Sequence, residues 1–541
     1  MDLILYNGNF ITMDKNNPKA SAVAIENGKI AAVGNDEELL TFADEKTKIM
    51  DMKSKTVVPG FNDSHLHNVK YGIFTGCCDL SHCTSLKELI DTTRKFINEK
   101  GIMHGDWVIG RGWNQDMFDI KIFPTREDLD LISKVHPIVM FRCCSHVVLA
   151  NSMAMNVLGI NEETKQVEGG FFDVNSGLFR ETAKELVQVS IKSYDVSDLK
   201  CFIKNAGEDL LKQGITSIQA DDFNMSVDYK HIVQAYQELA MEGNLPVRVT
   251  QQCLVANQKD LEDFIELNYK GLNINDYYRI GPVKILADGS LGARSAAMRE
   301  PYADVPDTTG MLVHTEEELK NMVVTAHKAG YQVAIHCIGD RTIDLALKCY
   351  DYARKNYPDN SLRHGIVHCQ ITDEEQLKRI KEMDLLVYAQ PIFLDYDLHI
   401  VEDRVGKALA STSYNFGRLV RDGVHISMGT DSPVEKFNPM PNIYCAVSRK
   451  DSKGYPQGGF YPEQCMTVEE SIRAYTYESA FCTYEEDIKG MIKQGYFADM
   501  TVLSDDIYKI NHEKLLDVNV EMTIVDGKIL YDCKTSCQNN L

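Results

Sequence analysis

No stretch of the 541 residues approaches the ~20 consecutive apolar residues that a membrane-spanning helix needs. Met1 to Tyr6 carry an acid, Asp2, where a secretion signal would carry basic residues, and no long apolar run follows. The 15 cysteines form no CxxC pair; they are scattered or adjacent, as in Cys77-Cys78 and Cys143-Cys144. That spacing argues against a disulfide framework and for reduced thiols. Positive charge is scarce: 57 Lys and Arg stand against 79 Asp and Glu, a formal net charge of −22. Such a surface repels phosphates, and no basic stripe compensates. Internal repeats and low-complexity tracts are missing too. These absences lead us to expect a cytoplasmic protein that engages neither nucleic acid nor membrane. The partner expected is a small-molecule substrate, with a homodimer left open.

What is present fits a globular chain, with 44% hydrophobic and 25% charged residues. The length suggests two or three units, one of which could be a barrel of about 250 residues. Apolar runs around Asn7-Gly8 and Asn27-Gly28 predict hairpins near the start, because both turn residues tolerate positive φ. Residues 498–503 read as a strand, and 521–530 as a hairpin around Asp526-Gly527. Neither end is large enough to be stable by itself, so residues 1–56 and 485–541 are predicted to pair into one composite β-sandwich.

Between them runs a βα alternation. Candidate strands are 57–61, 216–220, 247–254, 283–287, 332–336, 365–368, 385–389 and 425–429. Amphipathic stretches at 199–213, 229–242, 316–329, 342–356 and 373–383 separate most of them. The fold class predicted is α/β, a (β/α)₈ TIM barrel over 57–68 and 198–484, with an open doubly wound sheet as the rival. The gap of ~130 residues between the first two strands far exceeds a βα loop. Residues 69–197 are therefore predicted to be a large insertion after strand one, lying over the barrel mouth. Within it, 85–100 reads as a helix and 138–142 as a strand.

Chemistry begins at His65-Leu66-His67. On a strand, residues i and i+2 face the same side, so two imidazoles can share one metal. Taken alone, this is a weak signal, since two polar residues often end a strand. The signal grows because Lys284, His336, His368 and Asp431 each lie at or near the C-terminal end of a candidate strand. A barrel gathers those ends on one face, where its active sites lie. His364, four residues before His368, points the same way but ~13 Å deeper, and reads as structural.

The runs 59–67, 283–292 (Val-Lys-Ile-Leu-Ala-Asp-Gly-Ser-Leu-Gly), 334–341, 363–370 and 429–434 resemble the amidohydrolase superfamily. More narrowly they resemble its amidohydrolase-3 branch, which includes formamide deformylase-like proteins. Residues 110–115, and His146 with Asn151-Ser152, match as well, so the resemblance spans nearly the whole chain. It implies a metal-dependent hydrolase that cleaves a non-peptide C–N bond, of amide or formamide type, through a metal-activated hydroxide. His65, His67 and Asp431 would hold one divalent ion, His336 and His368 a second, and a carboxylated Lys284 would bridge them. One ion or two, Zn²⁺ is the metal expected for imidazole ligands. Asp431 would act as general base and then acid. Trp113, Asn114, Arg142, His146 and Arg294 are the candidate substrate contacts. Two departures bear on the pocket: Cys144-Ser145-His146 stands where the family often has Asp-Gly-His, and Thr430-Asp431-Ser432-Pro433 where it often has Ser-Asp-Trp-Pro. The alternative is a deaminase, or another hydrolase, on the same fold. Deaminases commonly place a Glu soon after the strand-five histidine, whereas here Cys337-Ile338-Gly339-Asp340 follows His336.

Overall fold

Eight short strands are buried along nearly their whole length, as strands covered on both faces must be. They are β1 (Phe61–Leu66), β2 (Ile215–Ala220), β3 (Arg248–Leu254), β4 (Tyr278–Leu286), β5 (Val333–Cys337), β6 (Gly365–His368), β7 (Leu386–Ala389) and β8 (Ile426–Met428). All seven successive pairs are parallel. The computed structural model describes residues 1–143, 147–167, 170–188, 194–223, 227–359 and 361–538. The helices between strands include Tyr229–Met241, Glu316–Lys328, Asp340–Asn356 and Glu374–Glu382, each close to its predicted span.

No strand ladder joins β8 to β1 among the described residues. The ring closes instead through bonds beyond the strand ends. The Asp431 N–H donates to the His65 carbonyl at 2.7 Å, and the His67 N–H to the Ser432 carbonyl at 2.7 Å. Closure demands glycine at 429, where a Cβ would stand 2.6 Å from the His65 nitrogen. The (β/α)₈ barrel predicted from the alternation is thus the architecture observed.

The two termini share one sheet. Met500–Leu503 runs antiparallel to Thr56–Pro59, pairing Met500 with Pro59 and Leu503 with Thr56. That six-stranded sheet packs on a four-stranded sheet of N-terminal residues, burying Leu5, Val23 and Ile25 with Val57, Val502 and Ile524 in one core. Here the predicted boundary shifts. Residues 56–59 belong to the sandwich, and the first barrel strand starts at Phe61 rather than residue 57. The apolar run is continuous in sequence; the break comes at Gly60, where a Cβ would stand 2.2 Å from the Thr216 hydroxyl oxygen, so any side chain would collide with it.

Residues Val69–Phe202 form a separate unit, slightly longer than the predicted 69–197. Its six-stranded sheet includes Ile138–Arg142, as predicted, between Val108–Trp113 and Val147–Ala150. Its helix Leu86–Lys100 starts at the Ser85 cap and ends at Gly101 in the left-handed region, φ 60°. The strands Cys78–Asp79, Val108–Trp113, Val147–Ala150, Gly170–Asp173 and Leu178–Glu181 carried no clear sequence signal.

Arg248, at the start of β3, ties barrel to sandwich. Its guanidinium is buried, donates to Asp499 at 2.8 Å and to Asp526, and lies 3.8 Å from the centre of the Phe497 ring. Removing one partner of a buried ion pair strands the other charge. Arg248→Ala is expected to destabilise the protein by about 3–5 kcal/mol, measured by denaturant unfolding. A loss below about 1 kcal/mol, the range of an exposed pair, would show that the cluster does not hold the two parts together.

Candidate metal centre

His65 lies in β1 and His67 directly follows its end, and both rings are buried. Asp431 follows β8 across the seam, with its backbone in the left-handed region at φ 57°. His368 ends β6 at φ 73°. Such conformations are costly for residues other than glycine and persist where the surroundings enforce them. The four imidazoles form a chain: ring centres lie 5.6 Å apart for His67 and His65, 5.4 Å for His65 and His368, and 4.4 Å for His368 and His336. Strands distant in sequence thus bring five of the predicted ligands together.

Among the described residues, the candidate cluster is His65, His67 and Asp431, whose donor atoms all lie within 4.8 Å of one another. Asp431 Oδ1 stands 3.0 Å from His67 Nε2 and 3.4 Å from His65 Nε2. A tetrahedral ion with bonds of about 2.0–2.1 Å spaces its donors ~3.3 Å apart, so the set fits. Hydrogen placement agrees. His67 Nδ1 faces the Asp221 carbonyl, and His65 Nδ1 lies 2.7 Å from Gln252 Oε1. Both Nδ1 atoms face acceptors and so carry the hydrogen; burial leaves the His65 Nε2 with a lone pair turned to Asp431 Oδ1, while at His67 burial is outweighed by Asp431, which favours a second proton on Nε2. Among the described residues no donor reaches that oxygen, or Asp221 Oδ1, in hydrogen-bonding geometry. A metal cation between Asp431 Oδ1 and the two Nε2 atoms would take the place of the His67 proton, and the donor set suits one.

The electrostatics point the same way. Burial, with Lys284 adding to it, pushes His65 down to about 3, and burial also takes His368 down to about 4 and His336 well down. These rings are therefore neutral, as ligands must be. For Asp431, burial is outweighed by the neighbouring histidines, which hold its carboxyl well below the usual range. Lys284, on β4, is buried with Nζ 3.0 Å from Asp221 Oδ2. His336 differs from the other histidines: its Nε2 faces the Gly289 carbonyl at 3.2 Å and Asp288 Oδ1 at 3.5 Å.

The remaining candidates are placed as follows. Trp113 is wholly buried in the core of the 69–202 unit, where its indole N–H donates to the Met140 carbonyl. In the same unit Arg142 donates to Asn114 at 2.9 Å, Gln115 at 2.8 Å and Asp116 at 2.8 Å, which orients both Asn114 and Arg142. His146 lies outside the described residues. Arg294 forms a two-pronged pair with Asp304, at 2.6 and 3.1 Å. His364 is structural, as its position in the sequence suggests: it lies before β6, accepts from the Val333 N–H at 3.0 Å and stands 2.8 Å from His327.

Sequence reading missed Asp221, Gln252, Gln390 and Asp63. Asp221 was findable, since it directly follows β2 much as Asp431 follows β8. The glutamines gave no signal because an amide side chain is not an expected metal ligand.

The sequence profile of the Amidohydrolase family (Amidohydro_3) matches residues 48–531. The chain is 30% identical over 535 residues to "Putative amidohydrolase YtcJ" of Bacillus subtilis (strain 168), covering 98% of this chain and 99% of that one. It is 25% identical over 547 residues to "N-substituted formamide deformylase" of Arthrobacter pascens, covering 98% of each. Among solved structures, a metal-dependent hydrolase from Pyrococcus furiosus superposes with a TM-score of 0.78 at 31% identity, covering 94% of this chain and 100% of the other. This chain belongs to the amidohydrolase family.

Proposed function

We propose that the protein hydrolyses the amide or formamide-type C–N bond of a small molecule, using a divalent ion held by His65, His67 and Asp431. The observation that carries this reading is the convergence of the buried His67 and His65 Nε2 atoms on Asp431 Oδ1, 3.0 and 3.4 Å away. Zn²⁺ is the ion proposed, on the imidazole and carboxylate donor set. Bound there, it would supply Lewis acidity, acidifying water toward neutral pH and polarising a carbonyl. The chain's own residues do the rest. Buried walls keep bulk solvent from the imidazoles. Asp431 turns Oδ1 to the histidines, so its other carboxylate oxygen is the one free to take a proton from water and return it to the leaving nitrogen. The formamide class draws support from the Arthrobacter pascens relative.

Deamination is the weaker reading for a local reason. Asp340 is the first acid after His336, and its carboxylate accepts from Arg299 Nε at 2.8 Å and from the Arg299 N–H at 2.9 Å. It is committed to a helix start rather than poised to move protons. A panel of N-substituted formamides and N-acyl amines, offered to Zn²⁺-loaded protein, should yield free amine with at least one member. Release of ammonia from aminated heterocycles, with no amide cleaved, would replace this proposal by the deaminase.

Replacing His65 and His67 together with Ala is expected to abolish both bound metal and turnover while the far-UV circular dichroism stays unchanged. Stoichiometric metal retained in that variant would refute the ligand assignment.

Lys284 decides between one ion and two. As a carbamate it could bridge a second ion held by His336 and His368; as an ammonium it cannot ligate at all. The ion pair with Asp221 at 3.0 Å favours the ammonium and a single ion. Metal analysis is then expected to give one ion per chain, and intact mass no added CO₂. Two ions per chain, with acetate or formate restoring metal to Lys284→Ala, would establish the bridge instead.

A further inference from the structure

Two histidines of the centre are backed by glutamines in the same way. His65 Nδ1 lies 2.7 Å from Gln252 Oε1, on β3, and His368 Nδ1 lies 2.8 Å from Gln390 Oε1, just beyond β7. An amide alone could present either its oxygen or its nitrogen. Here each is locked: Gln252 Nε2 donates to the Ser64 carbonyl at 3.0 Å, and Gln390 Nε2 to the Tyr388 carbonyl at 3.0 Å. The NH₂ must face those carbonyls, so the oxygen must face the histidine. Each imidazole then has to carry its hydrogen on Nδ1, leaving Nε2 bare. Both glutamines are buried, at 0% and 1% exposure. His67 receives the same treatment from a backbone oxygen, that of Asp221.

We propose that Gln252 and Gln390 are positioning residues that set the Nδ1–H tautomer of His65 and His368 and thereby their capacity to hold metal through Nε2. This rests on the metal-centre reading above. The acceptors are neutral amides, not carboxylates. A carboxylate would draw the Nδ1 hydrogen and make the ring a stronger donor; an amide fixes the tautomer while leaving the ion more exchangeable and more Lewis-acidic.

The test compares methionine, which has similar length and no amide, with glutamate, which keeps the acceptor. Co²⁺ and Zn²⁺ affinities are measured by competition with a chelator, alongside the visible absorption of the Co²⁺ protein and the melting temperature. Gln252→Met and Gln390→Met are each expected to weaken metal binding ~10–100-fold. Gln252→Glu and Gln390→Glu are expected to bind at least as tightly as the unaltered protein. Methionine variants that melt normally and keep both Kd and Co²⁺ spectrum would overturn the proposal. So would glutamate variants as weak as the methionine ones, since the acceptor would then not be what matters. His65→Ala separates the two levels. If it loses metal while Gln252→Met does not, only the glutamine role fails; if it binds like the unaltered protein, the metal-centre reading fails first.

Discussion

The site depends on one buried carboxylate at the barrel seam. Asp63, fully buried, accepts from the Thr430 hydroxyl at 2.7 Å and from the backbone N–H groups of His65 and Thr430 at 3.1 and 3.2 Å. Burial pushes its carboxyl up to about 7 despite these donors. A buried charge left without donors is costly, so the three must stay in place. They come from β1 and from the turn after β8. Asp63 therefore closes the ring where ladder pairing stops, and by fixing Thr430 it fixes Asp431 beside the HxH pair.

The centre then balances charge inside a low-dielectric pocket. Asp431 and Asp221 are buried anions, Lys284 a buried cation, and burial keeps His65, His336 and His368 neutral. Lys284 pairs with Asp221, while Asp431 faces the Nε2 atoms of His65 and His67. A cation at that point settles the imbalance, which is why the ligand chemistry and the geometry agree.

Stability is concentrated at the opposite end of the strands. Arg248 with Asp499, and His364 with His327 and the Val333 N–H, anchor the beginnings of β3, β5 and β6. Tyr350 stacks on His364 with ring centres 5.0 Å apart and its hydroxyl donates to the carbonyls of Val333 and Gly365. Barrels separate their roles in this manner: the N-terminal face carries stability and the C-terminal face carries chemistry. It explains why two histidines four residues apart on one strand line, His364 and His368, serve different ends.

Local pattern determined much of this protein by itself. Short apolar strands alternating with amphipathic helices specify a parallel sheet covered on both faces, and a count of eight favours the closed barrel over the open doubly wound rival. The i, i+2 spacing of His65 and His67 specifies a shared side, and the strand-end positions of Lys284, His336, His368 and Asp431 specify convergence. The composite sandwich followed from ends too small to fold alone. Tertiary structure decided what no local pattern encodes. Residues 56–59 join the sandwich because their pairing partner, Met500–Leu503, lies far along the chain. Trp113 lies in a stretch that resembles the family, and the packing of its own unit buries the indole. The tautomers of His65 and His368 are set by Gln252 and Gln390, residues of no special type in the sequence. Hydrogen-bond direction depends on which atoms meet in space, and the chain order does not carry that information.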